Sequence, residues 1–72
     1  MKGEYKMVET TYVVRPMYHG KTYDERISYH DSLEKAMSAR EQLKNRYEVV
    51  EVLKVEEEVE NDQIVRRTVT YF

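Results

Sequence analysis

At 72 residues the chain has room for one domain, 1–72, with a small core, since a domain of this size buries only about 60% of the surface its unfolded chain exposes. It contains no cysteine, which excludes disulfides and thiolate metal sites, and it has no apolar run near the ~18 residues of a membrane span. The formal net charge of −2 conceals a polarised distribution. Residues 1–47 carry nine basic and seven acidic groups, residues 48–62 one basic and seven acidic, and residues 63–72 add Arg66 and Arg67.

Without disulfides or a metal, a scaffold this small is expected to gain burial by pairing with itself, so a homodimer is predicted. The segment Met1 to Met7 is polar and lacks the apolar centre of a signal peptide, which predicts a cytoplasmic protein with no membrane partner.

Taken in order, Glu4 to Met17 alternates with Val8, Thr10, Tyr12 and Val14 on one side, the pattern of a half-buried strand. Pro16 lacks a donor and limits the ladder at that point. His19-Gly20 supplies a tight turn, and Lys21 to His30 reads as a second strand. A two-residue loop would set Tyr12 opposite Ile27, Thr10 opposite Tyr29 and Arg15 opposite Asp24.

Asp31-Ser32-Leu33-Glu34 reads as a helix start in which Asp31 caps the first turn and Glu34 reaches back to it. Leu33, Ala36, Met37, Arg40, Leu43 and Tyr47 recur at three and four residues, so the helix is amphipathic over about four turns and ends near Asn45 or Arg46. Arg40 falls on the apolar seam, where its methylenes pack while its guanidinium leaves for water or a carboxylate.

From Tyr47 to Asp62 runs the best strand signal and the main charge anomaly. Two at a time it gives a core-facing set of Tyr47, Val49, Leu53, Val55 and Val59, and a second set in which Val50 and Val52 precede Glu56, Glu58 and Glu60. A loop of Asn61-Asp62-Gln63 then leads into Ile64 to Phe72. It would set Val59 by Val65, Val55 by Val69 and Leu53 by Tyr71, with Glu58 facing Arg66 and Glu57 facing Arg67. The predicted fold class is α+β, in the order β-β-α-β-β, with a four-stranded antiparallel sheet and one helix on one face.

Little in the sequence points to catalysis. His19 and His30 stand without an adjacent partner, and there is no phosphate loop, nucleophile elbow or histidine pair at ligand spacing, so no enzyme and no cofactor are expected. The run Glu56, Glu57, Glu58, Glu60 and Asp62 is a poor metal site, because successive strand residues point to opposite faces and no glycine-hinged loop is present. Of the seven tyrosines, Tyr12, Tyr23, Tyr29, Tyr47 and Tyr71 fall on the expected core set and read as packing.

The acidic run has two readings. It is a solvated edge that keeps a long strand from pairing with other chains, or it presents carboxylates about 6–7 Å apart, from a rise of ~3.3 Å per residue, as a mimic of phosphates. The whole chain, with its β-β-α-β-β plan, lack of cysteine and acidic V-E-E-E-V-E-N-D hairpin, resembles the small early host-takeover proteins of lytic Bacillus phages, a group that includes an inhibitor of the histone-like protein HU. That resemblance implies a non-enzymatic protein that binds a basic host DNA-binding protein, HU-like, and covers its DNA-binding surface in the host bacterial cytoplasm.

The expected contact residues, chosen from the pattern, are Glu56, Glu58, Glu60 and Asp62, with no direct nucleic-acid binding. Two alternatives stand beside this. One is a single-stranded nucleic-acid binder that uses tyrosines with Lys2, Lys6, Arg15, Lys21 and Arg26. The other is a structural accessory protein of a larger assembly, making contact through an outer patch of Val50, Val52 and Ile64.

Overall fold

The computed structural model describes residues 6–72, so the start of the first predicted strand at Glu4, together with Lys2 and Tyr5, lies outside the described residues. The elements are β1 Lys6–Tyr18, β2 Lys21–Thr22, a 3-10 turn Asp24–Arg26, β3 Ser28–His30, helix α1 Leu33–Leu43, β4 Val49–Glu60 and β5 Gln63–Tyr71. Every strand pairing is antiparallel. The order across the sheet is β2-β1-β4-β5, with β3 also on β1. The fold is α+β, with one α-helix and one sheet among the described residues.

The predicted second strand is broken in two. At the His19-Gly20 turn, where both residues have positive φ, Tyr18 pairs with Lys21 and Met17 with Thr22. The 3-10 turn then shifts the register by three residues, so Tyr12 lies opposite His30, Val13 opposite Tyr29 and Val14 opposite Ser28. The expected pairs Tyr12–Ile27, Thr10–Tyr29 and Arg15–Asp24 do not form. Pro16 explains where the break falls. Its carbonyl accepts from Tyr23 N at 3.1 Å, and in a strand a residue's N–H and C=O point the same way. The missing donor of Pro16 therefore faces the β2/β3 edge, and the β1–β4 ladder runs past it intact.

The helix begins one residue later than the sequence suggests. Ser32 is the N-cap, its Oγ accepting from Lys35 N at 3.2 Å. Asp31 instead holds Lys35 Nζ at 3.0 Å, and that hydrogen bond keeps its carboxyl below the ordinary value. α1 ends at Leu43 with Lys44 as C-cap, short of Asn45. Arg40 does lie on the seam, but its Nε donates to the Val50 carbonyl at 3.3 Å rather than to a carboxylate.

The helix packs on the face opposite to the one expected. Val14, Ala36, Val50 and Val52 form the buried cluster, with Tyr12, Leu33, Met37, Leu43 and Tyr47 packed around it. Val52 is 1% exposed while Val49, expected inside, is 51% exposed. Val50 and Val52 are core and cannot be the outer patch of an accessory protein. The cause is topological. β3 and β4 both run antiparallel to β1 on its two sides, so they are parallel to each other and α1 is a crossover between them. Such crossovers take one hand almost without exception, so handedness selects the face.

The principal extents are 53 × 23 × 19 Å with a radius of gyration of 15.0 Å, against about 11 Å for a compact chain of this length. The excess is an arm in which β1, β4 and β5 continue beyond the helix. Among the described residues, no buried side-chain polar atom lacks a partner, and no helix is long and apolar enough to cross a membrane.

Four substitutions test this arrangement. Val52→Ala should cost about 2 kcal/mol for the lost methyls and the cavity they leave, whereas Ile64→Ala, on the exposed arm, should stay within about 0.5 kcal/mol. Ser32→Ala should cost about 1 kcal/mol, read by urea denaturation, while Asp31→Ala should leave the cap intact.

Candidate functional site

The arm is built by two ladders sharing β4. The β1–β4 register runs unbroken from Lys6–Glu60 to Met17–Val49. The β4–β5 register sets Leu53 by Tyr71, Val55 by Val69, Glu57 by Arg67 and Glu58 by Arg66, as the sequence predicts. Nearer the tip the prediction fails by one residue, since Val59 pairs with Ile64 and Glu60 with Gln63. The loop is therefore the two residues Asn61 and Asp62, with φ of 52° and 65°. These left-handed values belong to the tight turns whose twist suits a hairpin, and a bulge at Val65 absorbs the extra residue.

Residues directly opposite in an antiparallel pair share a face, so Glu56, Glu58 and Glu60 project from the helix side of the sheet, beyond the helix, with Asp62 at the tip. The four expected contact residues are thus brought to one end of the molecule. They are not equally available. Glu58 lies between Lys6 Nζ at 3.3 Å and Arg66 Nε at 3.4 Å. Glu56 stands 3.9 Å from Lys54 Nζ, at the limit of an ion pair. Glu60 and Asp62 make no ion pair among the described residues. On the opposite face Glu57 accepts from Arg67 Nε at 2.8 Å and Nη2 at 2.6 Å. Exposed pairs of this kind contribute about 0–1 kcal/mol each.

One carboxylate of the arm escaped the sequence reading. Glu9 on β1 lies directly opposite Glu57, a like-charge pairing that only the strand order reveals. Counted over residues 6–10 and 56–68, the arm holds six carboxylates (Glu9, Glu56, Glu57, Glu58, Glu60, Asp62) and three cations (Lys6, Arg66, Arg67). It is −3 after internal compensation, whereas the remaining described residues, with eight cations and seven carboxylates, are +1.

The other candidates are dispersed. His30 Nε2 lies 2.8 Å from Ser28 Oγ, a partner the sequence did not suggest. His19 sits in the turn with its ring edge-on to Tyr18, centroids 4.2 Å apart. Among the described residues, no cluster of histidine, aspartate and glutamate is arranged to hold a metal. Among the described residues the tyrosines do not share one platform, nor do they form one core set. Tyr12 and Tyr47 pack on the cluster beneath the helix, and Tyr23 lies tilted against Tyr47 with ring centroids 5.5 Å apart. Tyr29 and Tyr71 stand 69% and 60% exposed on the opposite face. Two of the bases assigned to a nucleic-acid surface are engaged, Lys6 by Glu58 and Arg15 by Glu51.

That opposite face carries a groove of about 560 Å³ whose floor is Val13, Leu53, Val55 and Val69. Arg15 borders it and donates from Nε to Glu51 Oε1 at 2.9 Å, a bond that raises the guanidinium's pKa above its ordinary value.

Comparison with protein-family models, curated proteins and solved structures returned no match.

Because Glu9 faces Glu57, Glu9→Gln should raise stability by roughly 0.2–1 kcal/mol, and the gain should shrink in high salt, where the repulsion is already screened. Thermal melts at two salt concentrations measure both.

Proposed function

We propose that the protein is a small, non-enzymatic protein-binding module that occupies the DNA-binding surface of a basic host protein, HU-like in character, in the bacterial cytoplasm. The observation that supports this reading is the charge left over at the arm. Its six carboxylates face three cations of the arm and, 3.9 Å from Glu56, Lys54 at its base, and Glu60 and Asp62 project at its end without an ion pair among the described residues. A narrow, three-stranded projection with surplus negative charge suits a basic cleft built for phosphates. It would gain fast, steered association more than raw affinity.

Pairing within the arm ranks the contact residues. Glu60 and Asp62 lead and Glu56 follows, whereas Glu9 lies with Glu57 on the opposite face. Glu58 contributes less than the sequence pattern suggests, because binding a partner through it means competing with Lys6 and Arg66. Occlusion is then steric as well as electrostatic, with the arm filling space that a duplex needs.

The turn allows a test that spares the fold. Asp62→Gly removes a carboxylate at a position with positive φ, where glycine is the least strained residue, and Glu60→Gln is nearly isosteric. The double variant should keep its circular dichroism and melting temperature. It should displace a labelled DNA duplex from purified HU at least tenfold less effectively than the wild type, and the wild type should itself weaken as salt rises. Equal competition by the two proteins rejects this site. Failure of the wild type to displace DNA at low salt rejects the function.

A further inference from the structure

We infer that the open face of the sheet, opposite the helix, is where two copies of this chain meet, related by a two-fold axis parallel to the strands and lying over the boundary between β1 and β4. This does not rest on the role proposed for the acidic arm. Beyond the groove floor of Val13, Leu53, Val55 and Val69 one charged rung interrupts the apolar pairs on each side, Arg15–Glu51 and Glu9–Glu57, and apolar pairs resume past each. Met17 and Val49 extend it at one end, Met7 and Val59 at the other, and Tyr29 and Tyr71 flank it. An apolar strip of this length on a small protein marks an interaction surface.

The occupant follows from the register. A two-fold along the β1–β4 boundary lays β1 of one copy over β4 of the other. Each residue then meets, on the second copy, the same residue type it pairs with in its own chain. Val13 meets Leu53, Met17 meets Val49, and Met7 meets Val59. Arg15 meets Glu51, and Glu51 meets Arg15, so two ion pairs in separate chains become a four-membered alternating cluster. β5 falls over β3, which brings Tyr71 to Tyr29. Two stacked sheets normally sit about 10 Å apart and rotated by about 30°, a displacement that these side chains span.

Other axes do worse. A two-fold over β4 itself sets Glu51 on Glu51 and Glu57 on Glu57, and one perpendicular to the strands, through the groove centre, sets Glu51 on Glu57. Only the β1–β4 boundary opposes Arg15 to Glu51. Its cost is the set of four carboxylates formed by Glu9 and Glu57 of both copies, which the two Arg67 side chains bound to Glu57 half offset. Since the axis runs along the strands, both hairpin tips emerge at the same end, so the dimer would present two sets of Glu60 and Asp62 together.

Charge exchange tests the register. Sedimentation velocity of the wild type should show a dimer at about 100 μM, the range of a modest interface. Arg15→Glu alone places four carboxylates at the centre and Glu51→Arg alone four cations. Each should raise the dissociation constant at least tenfold, and an equimolar mixture of the two should restore a heterodimer. Thr11→Lys, a smaller change to the monomer, should also dissociate the dimer, because Thr11 meets Val55 of the second copy; circular dichroism of the dilute variants confirms that each still folds. A wild type that stays monomeric at that concentration overturns the inference. So does a dimer indifferent to Thr11→Lys, or single-charge variants that fold yet do not associate when mixed.

Discussion

The β1–β4 ladder is the constraint on which the rest of the structure depends. Twelve consecutive pairs, Lys6–Glu60 to Met17–Val49, join the first strand to one that begins after the helix. No short turn helps to form them, so their loop-closure entropy is met only when side chains from both strands pack. The packing that answers it is small. Pro16 and Val14 lie beside Val50 and Val52, and Ala36 brings the helix close over them. A chain of this length has net stability of about 4–11 kcal/mol, so the methyl groups of a single valine in that layer are a sizeable share of it.

The same ladder determines what the charges can do. It puts Glu9 against Glu57 and Arg15 against Glu51, and it carries Lys6 to Glu58. Beyond the helix the arm has little apolar burial on one side, so its cross-strand ion pairs hold register where packing does not. A carboxylate used in this way is drawn out of the surface available to a partner. The acidic run thus divides into residues that serve the hairpin, Glu57 and Glu58, and residues that remain available, chiefly Glu60 and Asp62. The division follows the arginines on β5, and it could not have been made from spacing within β4 alone.

What was legible in the sequence was local. The alternation of β4 and β5 and their opposed charges give four of the hairpin's pairs correctly, and an N-cap signal marks the helix to within a residue. The misreadings share a cause, which is that non-local information decides them. Nothing in Lys21 to His30 announces a 3-10 turn, because the turn answers to the missing donor of Pro16 on a neighbouring strand. Nothing in β4 says which of two apolar sets the helix will cover, because Val49, Leu53 and Val55 match Val50 and Val52 in hydrophobicity. The hand of the β3–α1–β4 crossover resolves it. Glu9 was missed for the same reason, since it becomes part of an acidic surface only once β1 is known to lie beside β4.

The two faces of the sheet differ in a way that bears on both proposals. An eleven-residue helix is about 16 Å long and a twelve-residue strand about 40 Å, so α1 covers less than half of the sheet it lies on. Where it stops, its own face becomes mostly polar, with Lys54, Glu56, Glu58, Lys6, Thr10 and Thr68, although Val8 opposite Glu58 is 56% exposed there. The opposite face shows no such change. It remains apolar from Met17 and Val49 through Leu53 and Val55 to Met7 and Val59, interrupted only by Glu9 and the paired charges Arg15–Glu51 and Glu57–Arg67. Solvation is therefore met on one side largely by composition along the arm, while on the other Leu53 is buried and Met7, Val49 and Val69 stay 39%, 51% and 43% exposed. A second apolar surface of matching length relieves that condition, and the chain itself carries one.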